Sequence, residues 1–125
     1  MLFRSFMTAE RLAKDQPETA KAHYQKALEV LDNVVPQLRF VPAGQYAAAV
    51  HNVDYHRALC RHRIWVATQD PRMLADAVKT WRGYLDGSAR SVPADGNSKS
   101  YLENAEVYYK QAVASLNASK SVSKQ

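Results

Sequence analysis

The sequence predicts an all-α fold built from a repeated helical unit, and three observations carry that expectation. A stripe of small, aromatic, small and aliphatic residues occurs at Ala20, Tyr24, Ala27 and Leu28 and again at Ala105, Tyr109, Ala112 and Val113, with a weaker third copy at Ala77, Trp81, Tyr84 and Leu85, where a tyrosine replaces the second small residue. Nineteen alanines stand against one isoleucine and four threonines, a composition that favours helices because β-branched side chains lose rotamer freedom in them. Proline and glycine fall at helix-length intervals and leave long uninterrupted stretches between them. On a helix, positions separated by four, seven and eight residues share one face, so the first and last copies offer two small contact points beside a ring, and the middle copy one. Tyr24, Trp81 and Tyr109 are therefore expected in the core.

Taken in order, residues 2–14 read as a first helix, apolar on more than one face through Leu2, Phe3, Phe6, Met7 and Leu12. Asp15 and Gln16 form a turn, and Pro17 with Glu18 suits the first turn of a second helix that carries the first stripe towards Pro36 or Leu38. Phe40, Val41, Pro42, Ala43 and Gly44 make a connector. Residues 45–69 contain neither proline nor glycine and predict a third helix roughly 37 Å long. Two apolar stripes run along it, one through Tyr46, Val50, Val53, Cys60, Ile64 and Ala67, the other through Ala47, Ala58, Leu59, Trp65 and Val66. A helix apolar on two sides is expected between neighbours. Asp70-Pro71 ends it, a fourth helix spans residues 72–85, and Asp86-Gly87 stops that one. Residues 88–98 read as a loop, residues 99–116 as a fifth helix, and residues 118–125 as a disordered tail rich in Ser and Lys, leaving one helical domain over residues 1–117.

The stripe resembles the second helix of a tetratricopeptide repeat, in which a small residue, an aromatic four later, an alanine and an aliphatic recur. The first 34 residues align with one such repeat without a gap: Met7 stands at a buried aliphatic of the first helix, Asp15-Gln16 at the turn, and Ala20, Tyr24 and Ala27 at signature positions. Arg4, Thr8, Arg11 and Asp32 depart from the family's usual large aromatic, Gly, Tyr and Pro. The resemblance implies a right-handed α-α superhelix of about five helices, two hairpins and a capping helix, that binds a partner segment in the groove lined by its first helices. Ser5 and Ala9 occupy the positions where chaperone-binding members carry a Lys/Asn carboxylate clamp, so a chaperone tail is not the partner implied.

Seventeen Lys and Arg against twelve Asp and Glu give a net charge of +5 and a pI near 9.4, which favours acidic partners. No run reaches the roughly 18 apolar residues of a membrane span, and the opening residues lack the apolar core of a secretory signal. With one cysteine, Cys60, the expectation is a reducing, cytoplasmic setting.

Three of the four histidines, His51, His56 and His62, share one segment with Arg57, Cys60, Arg61 and Arg63. A metal centre is a poor reading: His51 and His62 share a face but stand about 16 Å apart along a helix. His56 and Cys60 could form a base–nucleophile pair, yet no third group or oxyanion donor accompanies them. The arginines are the stronger signal, because a planar guanidinium grips carboxylate or phosphate with two donors. The functional expectation is a non-enzymatic protein–protein interaction scaffold without cofactor or metal. Its partner-binding residues would be Leu2, Leu12, Arg57, Arg61, His62 and Arg63, facing a protein or peptide segment that combines acidic and apolar side chains. Stacking units that leave Leu2, Phe3 and Phe6 at an edge also predict a homo-oligomer. The alternative is a basic helical nucleic-acid-binding domain, disfavoured because the tyrosines occupy core stripes rather than positions beside arginine.

Overall fold

In a computed structural model, which describes residue 11, residues 16–87 and residues 96–123, Pro17 opens helix α1 (Pro17–Val34) from its first turn. There its missing N–H costs nothing, and Glu18 lies against the positive end of the helix. Pro36 cannot donate to the α-helical ladder, and the chain tightens into a 3-10 stretch, Val35–Phe40, closed by the Val41 N–H on the Leu38 carbonyl at 3.0 Å. Val41 is extended, as a residue before proline prefers, and Pro42 leads into α2 (Ala43–Thr68).

Helix α2 is 26 residues long, about 39 Å, and is the centre of the molecule. Gln69 ends it with a left-handed backbone (φ 56°), and its N–H returns to the Trp65 carbonyl at 2.6 Å. No glycine stands here, and local bonds hold the turn instead. The Gln69 side chain donates to the Val66 carbonyl at 3.0 Å, and the Thr68 hydroxyl donates to Ile64 O while accepting from the Asp70 N–H. Asp70, extended before Pro71, caps α3 (Pro71–Asp86) by accepting from the Arg72 N–H at 2.9 Å. Two residues thus separate α2 from α3, which forces the helices into contact. Gly87 closes α3 with an N–H to Gly83 O, and α4 runs over Gly96–Ser123.

Among the described residues the fold is entirely helical, with α1 packed on α2, α2 on α3, and α4 on α3 and, more lightly, on α2. The stripes supply the contacts. Ala20, Tyr24 and Ala27 are buried on α1, Ala77, Trp81 and Tyr84 on α3, and Ala105 and Ala112 on α4. Between α1 and α2, Ala27, Leu31 and Leu38 meet Val53 and Cys60, and further along Ala20 and Tyr24 meet Ile64. On the other side, Tyr55, Ala58 and Leu59 meet Ala77, Trp81, Tyr84 and Ala105.

Several expectations change. Tyr109 is only partly buried, and its neighbour Tyr108 stacks on Trp81 with centroids 5.7 Å apart. One residue of helical rotation, about 100°, separates the two rings. Tyr46 and Val66, assigned to the α2 stripes, are 47% and 48% exposed, whereas His51, Tyr55 and His62 are buried. The last helix begins at Gly96, inside the expected loop, and continues through residues 118–123, expected as tail, where no proline or glycine interrupts it. The expected first helix, residues 2–14, lies outside the described residues except Arg11, which is helical and exposed.

Candidate functional site

The basic segment of α2 fans out in three directions. Arg57 points towards α1: its Nε donates to Asp32 Oδ1 at 2.7 Å, and Nη1 lies 3.8 Å from Asp54 Oδ1 one turn back. Arg63 points towards α4, where Nη2 donates to the Tyr108 hydroxyl at 3.1 Å and the guanidinium lies 5.2 Å from that ring's centre. His62 points inward. It is 2% exposed, and its Nδ1 accepts from the Trp81 indole N–H at 3.3 Å. Burial, with the Arg63 charge beside it, pushes its pKa down to about 4, so at neutral pH it offers no positive charge to a partner. Arg61 alone of the four reaches a groove without an ion pair among the described residues. Leu2 and Leu12 lie outside the described residues.

That groove runs between α2 and α3 and encloses about 500 Å³. Asp54, Arg57 and Arg61 line it from α2, and Asp76, Lys79, Thr80, Gly83 and Tyr84 from α3. The α3 residues follow from helical spacing: Asp76, Lys79, Thr80 and Gly83 occupy the face beside the buried Ala77, Trp81 and Tyr84 stripe. The Thr80 hydroxyl donates to the Asp76 carbonyl at 2.7 Å, which occupies its proton. Behind the groove, the Tyr84 hydroxyl and His51 Nε2 share a hydrogen bond, and burial holds the Tyr84 phenol in its protonated form. The sequence reading therefore named Arg57 and Arg61 and missed Lys79, Thr80, Gly83 and Tyr84. The available signal was the lone glycine in the last turn of α3, one turn beyond Lys79.

Around this site the core is unusually rich in rings. Tyr101 of α4 stacks on Tyr55 with centroids 4.3 Å apart and meets His51 and His56 edge-on. His56 Nδ1 is 2.8 Å from the Asn52 carbonyl, and burial lowers its pKa against the opposing effect of that bond. Cys60 is buried in the aliphatic cluster facing α1. Among the described residues no three His, Cys, Asp or Glu side chains come together as a metal-binding group, and no helix is long and apolar enough to cross a membrane. A second, more open groove of about 430 Å³ between α1 and the α2–α3 turn is lined by Gln25, Leu28, Glu29, Asp32, Asn33, Ile64 and Met73. Comparison of the chain with family models, with curated proteins and with solved structures found no match.

Proposed function

We propose that this chain is a non-enzymatic interaction module of the tetratricopeptide-like kind, whose helices stack as a right-handed superhelix and hold a segment of a partner protein between α2 and α3. The observation that carries this reading is the groove itself, where Arg61 from one helix and Lys79 from the next face an open volume without an ion pair among the described residues. Unpaired cations beside an open cleft attract acidic side chains. Support for the repeat character comes from the buried alanines of the three stripes and from packing of each helix on the next in chain order.

The arrangement of the remaining cations favours a protein partner over nucleic acid. Arg57 is held by two carboxylates and Arg63 by a tyrosine, so the three arginines of α2 do not form a continuous row of free cations. The test is an NMR titration of the protein with a short peptide of alternating Glu and Leu, and with a single-stranded oligonucleotide, each at two salt concentrations. Peptide-induced shifts at Arg61, Lys79 and Tyr84 that survive added salt are expected, because apolar contacts are unscreened. Tighter oligonucleotide binding that collapses with salt would replace this reading with the nucleic-acid one.

A further inference from the structure

Gly83 stands where the fold has no use for a glycine. It lies in the last turn of α3 without a positive φ, and a Cβ built on it meets nothing within 4 Å. An alanine there would fit and would favour the helix. What the missing side chain does provide is a stretch of bare backbone in the groove, one turn from Lys79 and beside Tyr84. Glycine commonly serves close approach of a ligand to backbone, and the groups around this one say which ligand.

We infer that the α2–α3 groove is a phosphoryl site, in which Arg61 and Lys79 take the oxygens of a phosphorylated side chain seated against Gly83. The inference rests on the segment-binding reading above and names the group that the segment presents. Arg61 offers a planar fork that matches two oxygens, and Lys79, from the opposite wall, offers a point charge for a third. A carboxylate has two oxygens and one negative charge; a phosphoryl group has three oxygens and close to two charges at neutral pH. Two cations from two helices therefore suit the phosphoryl group better.

The lining also limits the ligand to one such group. Arg57, Arg61 and Lys79 face Asp54 and Asp76, a balance of one positive charge, and Arg57 is already held by Asp32 and Asp54. A chain of phosphates would bring its neighbouring charges against those carboxylates. A volume of about 500 Å³ accommodates the phosphorylated side chain together with flanking backbone.

The experiment compares three fluorescent peptides of one sequence, with a phosphoserine, a glutamate or a serine between leucines, and adds inorganic phosphate as a fourth probe followed by NMR. The phosphoserine peptide is expected to bind about tenfold tighter than the glutamate peptide, and Arg61→Ala or Lys79→Ala to remove about tenfold of that affinity. Gly83→Leu is the decisive variant: it should melt no lower than the parent and bind no phosphoserine peptide. Arg82→Ala, exposed on α3 outside the groove lining, should bind as the parent does. Equal affinity for glutamate and phosphoserine would overturn the phosphoryl inference while leaving segment binding in place. Inorganic phosphate moving the Arg61 and Lys79 signals, with none of the peptides binding, would support the phosphoryl site and remove the segment-binding reading. Silence from all four probes, or an Arg82→Ala loss equal to that of Arg61→Ala, would overturn the site.

Discussion

Towards α1 the central helix buries Val53 and Cys60 against Ala27, Leu31 and Leu38, side chains that carry only apolar surface or a thiol. Towards α3 and α4 it buries His51, Tyr55 and His62 against Trp81, Tyr84, Tyr101 and Tyr108. The first junction is held by removal of apolar area, at about 25 cal/mol per Å², which is indifferent to direction and to pH. The second needs particular donors to meet particular acceptors. The indole of Trp81 serves His62, and the phenol of Tyr84 meets His51. An aliphatic junction forgives a change of shape, whereas a ring junction with buried nitrogens penalises a lost partner and responds to protons.

The most direct way to break the second junction is Trp81→Ala. The ring is fully buried, lies edge-on to Tyr55 and Tyr84, and stacks on Tyr108. Its removal should cost about 3–5 kcal/mol, the range for buried aromatics, and strand His62 Nδ1 as well. Chemical denaturation would measure the loss, and a cost below about 1 kcal/mol would mean that these rings do not hold α3 and α4 to α2.

Acid should separate the junctions next. His62 has a folded pKa near 4 against an ordinary value of 6.5, so the unfolded chain takes up this proton first as pH falls. The stability it allows is complete above about pH 6.5 and drains away as pH approaches 4, by roughly 3 kcal/mol at about 1.4 kcal/mol per pKa unit. His56, lowered by burial, acts in the same direction. Denaturation midpoints between pH 7 and 5, where most carboxylates remain charged, should fall in the parent and fall less in His62→Gln. A flat parent profile would show that His62 is not held neutral by the fold. The aliphatic cluster is built from Ala, Leu and Val side chains with Cys60.

A gentler pair of substitutions sharpens the same contrast. Leu31→Met conserves volume in the aliphatic cluster and should cost under about 1.5 kcal/mol. Trp81→Phe keeps a ring but deletes the donor to His62, so it should add about 1–3 kcal/mol for the stranded nitrogen to the loss of ring volume. If the two variants melted together, the hydrogen bond would carry no weight and the junctions would differ only in area.

This contrast also explains what could be read from the residues alone. The stripes on α1, α3 and α4 are local patterns: Ala20, Ala27, Ala77, Ala105 and Ala112 repeat with the helical period, and all are buried. Proline and glycine marked most boundaries because they act within a residue or two of where they stand. Helix α2 was harder, since residues apolar all around leave no face to choose, and His51 and His62 look polar until Tyr84 and Trp81 arrive from another helix. The groove was half visible for the same reason. Arg57 and Arg61 stand out as neighbours in the chain, but Lys79 and Gly83 join them only through the two-residue turn that lays α3 against α2.

The smallest expected effect falls at an ion pair that crosses the aliphatic junction. Arg57 and Asp32 meet at 2.7 Å, yet their side chains are 28% and 43% exposed, and water with dissolved ions screens much of the attraction. Arg57→Ala should therefore lower stability by only about 0.2–1 kcal/mol, and raised salt should shrink the difference. The same variant reports on the groove. Because Arg57 is already held by Asp32 and Asp54, its loss should weaken capture of an anionic segment less than the loss of Arg61, whose charge meets no carboxylate among the described residues. Deleting Arg57 still removes one cation from the lining, so a small decrease in affinity for an anionic ligand is expected. Titrating Arg57→Ala and Arg61→Ala with the same peptide decides the order. A larger loss in Arg57→Ala would make the inter-helix ion pair, and not the unpaired arginine, the principal cation of the groove.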